Sequence, residues 1–295
     1  MSTVPHTDPR VSLNDLRALK QRRQPIVMVT AYDYPGGHLC AEAGVDVLLV
    51  GDSAAMTVLG HDSTVPISLE EMAMLAAAVR RGAPQSLIVG DLPFGSYEES
   101  DQHAVRSAVT LRKSGGVDVV KLEGGSTMVE RARSIVRAGI AVCGHIGLTP
   151  QSSVLIGGYK AQGRTAERAI QLVEDALALE HAGASLLVLE GIPSPVAARI
   201  TDELAIPTIG IGAGPGCDGQ VLVYHDLLGL TEGRRPRFVR QYADLAGTTR
   251  DGLSAFAADV RSGRYPAVEH EYTIPQEELV LFDEDRRSTR SRARL

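Results

Sequence analysis

Cysteine and lysine are both scarce in this sequence of 295 residues. The three cysteines, Cys40, Cys143 and Cys217, are odd in number and widely spaced, which fits neither a zinc-binding pattern nor a disulfide framework. We interpret them as reduced thiols of an intracellular protein, and none has the partner base that a nucleophilic cysteine needs. Only four of the 30 basic residues are lysines, so the places where lysine does occur are informative.

Long apolar runs and an excess of positive charge are also missing. No run is long enough to span a bilayer, and residues 1–5 lack the apolar core of a signal peptide, so we expect a cytoplasmic protein without a membrane partner. The formal net charge is -6, which gives no reason to expect a nucleic-acid partner. No Gly-x-Gly-x-x-Gly pattern follows the first predicted strand, which argues against a dinucleotide-binding domain.

Eight short apolar runs alternate with segments of helical spacing. Alternation of this kind predicts a parallel sheet, and eight units indicate a closed (β/α)8 TIM barrel, with an open doubly wound sheet as the alternative. An extra N-terminal helix, capped by Ser12, precedes the first run and would cover the bottom of the barrel, and C-terminal helices continue to about Val260. The eight runs cover residues 26–30, 46–50, 87–89, 117–123, 140–143, 186–189, 207–211 and 221–223.

The ends of the chain differ in composition from the rest. Residues 1–11 are polar and contain proline, so we expect a flexible N-terminus. Residues 12–274 are predicted to form a single catalytic barrel domain. Residues 275–295 are predicted to be disordered, because acids, arginines and serines alternate from Asp283 onward.

Two of the apolar runs end in the same tripeptide, Val-Gly-Asp, at Asp52 and at Asp91. The carboxyl ends of parallel strands are the rim where α/β proteins bind ligands. Both carboxylates would therefore lie at this rim, where they could share one divalent cation. The alternative is that each aspartate only caps the following helix or turns its loop.

The next strand carries Lys121 and Glu123, which point to the same side because they are two residues apart. Taken alone, they would form an ion pair that fills the barrel. Together with Asp52 and Asp91, they would place three acids and one cation at one rim, where a metal relieves the repulsion. Oxygen ligands without a histidine or cysteine cluster favour Mg²⁺ over zinc.

Further along the chain, Glu190 stands alone at the end of the sixth strand. Burial would raise the pKa of Glu190 and make it a candidate general base. The alternative is that this glutamate only closes a turn. His145 is a candidate acid or a support for the site, with a purely structural role as the simpler interpretation. The loop 212–216 would hold a phosphate or, as we favour, form a tight turn; His225 and Asp226 are weaker candidates.

Six ordered strings between about residues 13 and 272 resemble the ketopantoate hydroxymethyltransferase family. They are VGDS (50–53), DLPFGSY (91–97), VKLEGG (120–125), GHIGLTPQ (144–151), GGYKAQGRT (157–165) and IGIGAG (209–214). This family transfers a one-carbon unit from 5,10-methylenetetrahydrofolate to 3-methyl-2-oxobutanoate. The products are 2-dehydropantoate and tetrahydrofolate, in the first committed step of pantothenate biosynthesis. The resemblance implies a Mg²⁺-dependent (β/α)8 barrel that assembles as a cytoplasmic homodecamer.

The resemblance also implies roles for individual residues. Asp52, Asp91 and Glu123 correspond to the metal residues of the family, and Glu190 corresponds to its proton acceptor. The substrate contacts correspond to Asp52, Ser53, Asp91 and Lys121. Two departures would shift loop geometry without removing a functional group: Ala54-Ala55 replaces a common glycine, and Gly191 replaces a common cysteine.

Two other function classes stay open at this point. One is a Mg²⁺-dependent carbon–carbon lyase of the phosphoenolpyruvate mutase and isocitrate lyase type. Those enzymes typically use a cysteine in a Lys-Lys-Cys-Gly-like loop, which this sequence lacks. The other is a barrel that binds a keto acid without turning it over, which predicts no proton exchange at C3.

Overall fold

Eight parallel strands pair in chain order and close into a barrel, because β8 pairs with β1 through Met28 and Val221. The structure is a computed structural model that describes residues 10–231, 233 and 236–292, with side chains described to residue 286. The predicted (β/α)8 barrel is therefore confirmed, and the open doubly wound alternative is wrong. The strands are β1 Ile26–Thr30, β2 Val47–Val50, β3 Leu87–Asp91, β4 Val119–Glu123, β5 Ala141–Gly147, β6 Leu186–Glu190, β7 Thr208–Ile211 and β8 Gly219–Leu222.

The continuous apolar runs follow from burial on both faces of each strand. In β2, Val47 and Leu49 pack inside the barrel, whereas Leu48 and Val50 pack outward against the helices. This alternation follows from the two-residue period of a strand. A parallel barrel ringed by helices thus needs apolar side chains at every position except the strand ends.

Nine α-helices in the described residues up to Ala243 complete the barrel. The helix after residue 68 begins with a reciprocal capping box between Ser68 and Glu71. The helices are α1 Leu13–Gln21, α2 Tyr34–Glu42, α3 Ala54–Thr57, α4 Leu69–Gly82, α5 Asp101–Thr110, α6 Val129–Arg137, α7 Ala166–His181, α8 Ser194–Glu203 and α9 Tyr224–Leu228. Helix α5 continues into a π-helical turn at Leu111–Gly115.

The N-terminal helix α1 covers the amino-end face of the barrel, as predicted. Its Leu16 is fully buried in the same apolar cluster as Ile26 and Met28 of β1. The Lys20 ammonium lies 2.7 Å from the Asp218 carboxylate, just before β8. This face is thus closed by packing and by an ion pair, which leaves the carboxyl-end face for ligands.

The C-terminal part of the chain forms a second compact unit. Contacts divide the chain after Ala243, whereas the sequence predicted one barrel domain that continues to residue 274. The second unit contains α10 Leu245–Ser262 and α11 Gln276–Arg292, so a helix occupies most of the segment predicted to be disordered. Glu277 and Glu278 lie in the first turn of α11, where acids favour a helix, and this local signal was missed. None of the helices in the described residues combines the length and the apolar character that crossing a bilayer requires.

Candidate active site

A pocket opens at the carboxyl ends of the strands, and the seven residues that the sequence favoured for catalysis, for binding substrate or metal, or for supporting the site line it. They come from five different strand ends and the turns that follow them, as a barrel rim requires. They are Asp52, Ser53, Asp91, Lys121, Glu123, His145 and Glu190. By contrast, loop 212–216, His225 and Asp226 are not among the residues that line this pocket.

The acids and the lysine form a buried cluster. Asp91 and Lys121 are direct neighbours on β3 and β4, and the Lys121 ammonium lies 3.0 Å from Asp91 Oδ1. The same ammonium lies 3.9 Å from Glu123 Oε1. The backbone N–H of Asp52 donates to Asp91 Oδ2 at 3.0 Å. Each of the four side chains is at most 4% exposed, so solvent screens their charges very little.

Burial and mutual repulsion shift the pKa values within this cluster. Burial, with repulsion from Asp91 and Glu123, raises the pKa of Asp52 well above its ordinary value. Burial also raises the pKa of Asp91, although Lys121 partly offsets this effect. Burial opposes the charge of Lys121, but the three carboxylates outweigh it and raise its pKa. The cluster therefore carries more carboxylates than its single lysine can neutralise.

His145 connects this cluster to Glu190. Its Nδ1 lies 3.2 Å from Glu123 Oε1, and its Nε2 lies 3.2 Å from Glu190 Oε2. Burial and Lys121 disfavour the charged ring, but the contacts with Glu123 and Glu190 raise the pKa of His145 to about 9. The sequence suggested that Glu190 stands apart from the acids, whereas the structure bridges the two groups with one histidine.

The backbone at the ends of β5 and β6 explains how His145 and Glu190 meet. Strand β5 extends four residues beyond the predicted end at Cys143, and Gly147 pairs with Glu190. Gly147 has φ 98°, and a Cβ at this position would lie 2.2 Å from the Glu190 carbonyl oxygen. Only glycine permits this close approach, which places His145 within the strand beside Glu190.

Three pocket-side residues to which the sequence analysis gave no role contribute polar groups. Gln151 donates from Nε2 to Asp52 Oδ2 at 2.8 Å and from its backbone N–H to Glu123 Oε2 at 3.0 Å. Tyr97 donates its hydroxyl hydrogen to Gln151 Oε1 at 2.5 Å. Thr64 lines the pocket with 3% exposure, and its hydroxyl has no hydrogen-bond partner among the described residues. Gln151 and Tyr97 lie inside two of the six strings that resemble the family. That resemblance is the sequence signal that could have identified them.

The donor set fits a magnesium ion held by few protein ligands. Among the described residues, no set of three or more histidine, cysteine, aspartate or glutamate side chains is arranged to hold a metal ion. Glu123 already has Gln151 at one oxygen and His145 at the other. Asp91 is likewise engaged at both oxygens, by Lys121 and by the Asp52 N–H, and it forms with Asp52 a buried pair with raised pKa values. Mg²⁺ typically uses one or two carboxylates together with waters and substrate oxygens.

Comparisons with known proteins identify the family of this chain. A family model described as ketopantoate hydroxymethyltransferase matches residues 10–268. The 3-methyl-2-oxobutanoate hydroxymethyltransferase of Moorella thermoacetica is 53% identical over 263 residues, which cover 89% of this chain and 98% of that relative.

Solved structures of other enzymes share the fold. A phosphoenolpyruvate phosphomutase from Streptomyces platensis subsp. rosaceus aligns with a TM-score of 0.59 and 14% identity, over 96% of this chain and 99% of that one. A phosphonopyruvate hydrolase in complex with oxalate and Mg²⁺ aligns with a TM-score of 0.56 and 12% identity, over 95% of this chain and 98% of that one. At such low identity these neighbours show the barrel fold alone.

Proposed function

This chain belongs to the ketopantoate hydroxymethyltransferase family and is a transferase, and we propose that its donor is 5,10-methylenetetrahydrofolate and its acceptor 3-methyl-2-oxobutanoate. The product would be 2-dehydropantoate, in the first step of pantothenate biosynthesis. The observation that carries this proposal is the juxtaposition of a carboxylate-rich cluster, one buried lysine and Glu190 around one pocket. A keto acid bound there would have its acidic C–H within reach of a carboxylate.

Lys121 is the residue we assign to the substrate carboxylate. It is the one lysine or arginine among the residues that line the described pocket, and its raised pKa keeps it charged at neutral pH. A buried ammonium binds a carboxylate strongly, because little solvent competes for either charge. Ser53, held by a 2.9 Å hydrogen bond with the Tyr32 hydroxyl, would offer a second polar contact.

We assign Asp52 and Asp91 to a Mg²⁺ ion, with Glu123, the third metal residue that the resemblance implies, in the same cluster. When bound, the ion would polarise the keto group and stabilise the enolate, an effect of several kcal/mol in comparable sites. The protein supplies two buried carboxylates whose charges are not balanced by Lys121 alone.

Glu190 is the residue we assign to proton abstraction from C3 of the keto acid. Its side chain is 16% exposed, and His145 holds its Oε2 at 3.2 Å, which limits the orientations it can adopt. The proton taken from C3 would come to rest on the Glu190 carboxyl beside His145. The resulting carbon nucleophile would form a carbon–carbon bond to the one-carbon unit of the folate. One water would supply the hydroxyl oxygen of the product, and both bonds between the one-carbon unit and the folate nitrogens would break to leave tetrahydrofolate.

The assembly and location of the enzyme are also proposals. By family resemblance we expect a cytoplasmic homodecamer, which light scattering of the purified protein would test against a monomer. The alternative lyase chemistry has little support, because the described cysteines are buried or half-buried and none lines the pocket.

A direct assay tests the proposed function. Purified protein would be incubated with Mg²⁺, 5,10-methylenetetrahydrofolate and 3-methyl-2-oxobutanoate, and 2-dehydropantoate would be quantified by mass spectrometry. We expect product only when all three components are present, and loss of product in excess chelator. Keto acid binding without product, or release of glyoxylate or pyruvate, would contradict the proposal.

A further inference from the structure

Gln151 occupies a central place among the buried acids. It lies in the short turn Pro150–Ser152 after β5 and is 5% exposed. It is 99 residues distant in sequence from Asp52, the first acid it contacts. No role in the reaction has been assigned to it above.

The polar groups of Gln151 reach three strand ends at once. The amide nitrogen Nε2 donates to Asp52 Oδ2 at 2.8 Å, after β2, and to the Leu92 carbonyl oxygen at 3.0 Å, directly after Asp91 of β3. The backbone N–H donates to Glu123 Oε2 at 3.0 Å, on β4. Both hydrogens of the amide are therefore used, and one oxygen of each of two acids is held.

Tyr97 fixes the orientation of this amide. Its hydroxyl donates to Gln151 Oε1 at 2.5 Å and accepts the backbone N–H of Glu123 at 3.2 Å. A flipped amide would place an NH2 group against the tyrosine hydroxyl and an oxygen against the Asp52 carboxylate. Because the oxygen of Gln151 faces a donor and its nitrogen faces two acceptors, a single arrangement satisfies every partner.

We propose that Gln151, oriented by Tyr97, is a positioning residue that sets the rotation of the Asp52 and Glu123 carboxylates for metal binding. The inference rests on the proposed function, since it concerns the affinity for Mg²⁺. By holding one oxygen of each carboxylate, Gln151 determines which oxygens remain for the ion and for Lys121 and His145. Some residues contact the metal ligands but not the metal itself. Mutation of such a residue typically lowers metal affinity or activity by roughly 10- to 100-fold.

Isothermal titration of the metal-free protein with Mg²⁺, without substrate, tests this inference. Gln151→Leu keeps the side-chain volume and removes the amide, and we expect Mg²⁺ to bind at least about tenfold more weakly. Gln162→Leu is the matched control, because Gln162 lies further along the same loop and donates from Nε2 to the Lys160 carbonyl oxygen. That variant should bind Mg²⁺ as the wild type does.

Tyr97→Phe provides a milder second variant that decides the matter if Gln151→Leu does not fold. It should weaken Mg²⁺ binding in the same direction, by a smaller factor. In the double variant, Tyr97→Phe should add little to the loss caused by Gln151→Leu, because the hydroxyl acts through the amide. A purely structural role predicts lower thermal stability of both variants with unchanged Mg²⁺ affinity.

The outcomes separate this inference from the proposed function. Wild-type affinity for Mg²⁺ in a folded Gln151→Leu or Tyr97→Phe protein would overturn the positioning role and leave the proposed function intact. A wild-type protein that binds no Mg²⁺ would overturn both. Weaker binding in both variants, with the Gln162→Leu control unchanged, is the result that supports the inference.

Discussion

The two faces of the barrel surround their carboxylates with opposite ratios of acids to cations. At the amino-end face, the Asp118 carboxylate, just before β4, contacts the guanidinium groups of Arg10, Arg80 and Arg112 and accepts the backbone N–H of Ile88. At the carboxyl-end rim, four carboxylates share one lysine and one histidine. The cations exceed the acids around Asp118, whereas the acids exceed the cations at the rim.

This difference separates a stabilising face from a reactive one. A carboxylate such as Asp118 is already surrounded by hydrogen-bond donors and cations, so a further ligand would not stabilise it. The rim acids repel one another in a site that solvent barely screens, and a divalent cation would relieve that repulsion. Charged groups that stabilise the fold and charged groups that take part in chemistry thus require different ratios of acid to base.

Removal of Lys121 should have the largest effect on stability. Lys121→Met leaves the rim carboxylates without their lysine, and breaking a buried ion pair in this way costs about 3–5 kcal/mol. Denaturant unfolding in chelator should show a loss of this size. Added Mg²⁺ should restore part of it, and keto acid binding should stay weak. A variant as stable as the wild type in chelator would contradict the inferred excess of carboxylates over cations at the rim.

A substitution at the opposite face gives the contrasting result. Asp118→Asn should lower the free energy of unfolding by about 1–3 kcal/mol, because hydrogen bonds to a charged group are lost around Arg80. Neither Mg²⁺ nor keto acid should reverse this loss, and the KM for keto acid should stay unchanged. A changed KM would mean that the two faces are not independent.

The pH dependence should reveal the charged histidine at the rim. The pKa of His145 rises from 6.5 to about 9 on folding, so its charge stabilises the fold fully below pH 6.5. That contribution is lost as the pH rises through about 9. In chelator, the stability difference between the wild type and His145→Gln should therefore shrink between pH 6.5 and 9. A difference that is constant across this range would mean that His145 is not protonated in the folded protein.

The smallest effect is expected at Thr64, whose hydroxyl lacks a partner among the described residues. Thr64→Val removes a hydroxyl that we expect to bond to substrate, and one hydrogen bond contributes about 0.5–1.5 kcal/mol. The KM for keto acid should rise by roughly 2- to 10-fold on this basis. Thermal stability should hold or increase, because a buried unpaired polar group disappears. An unchanged KM would assign Thr64 to packing alone.

Much of the fold could be predicted from the sequence because its signals are local. Each strand of the barrel is an apolar run with a polar end, and the alternation with helices determines the topology. The end of β5 could not be predicted, because residues 144–147 read as a loop until their pairing with β6 is known. Helix α11 was missed because charge alternation after Asp283 outweighed the helix-favouring start of the segment.

The candidate site was predicted in its residues but not in its connections. Asp52, Asp91, Lys121 and Glu123 follow from strand-end spacing, and the resemblance to the family is confirmed by the match over residues 10–268. The bridge through His145 and the links through Gln151 depend on how distant loops and strands meet in space. No local pattern encodes such a meeting, so these contacts became visible only in the structure.

Hydrogen–deuterium exchange at C3 of 3-methyl-2-oxobutanoate tests the central claim most directly. Abstraction of this proton should need Mg²⁺, the keto acid and Glu190, but no folate, so the wild type should exchange deuterium from D₂O in its absence. Glu190→Gln keeps the shape of the side chain and removes its basicity, and it should slow exchange by a factor on the order of a hundred or more. Binding of Mg²⁺ and keto acid, measured by titration, should survive. Exchange at the wild-type rate in Glu190→Gln would contradict the account and transfer the role of base to another residue, with His145 the first to test.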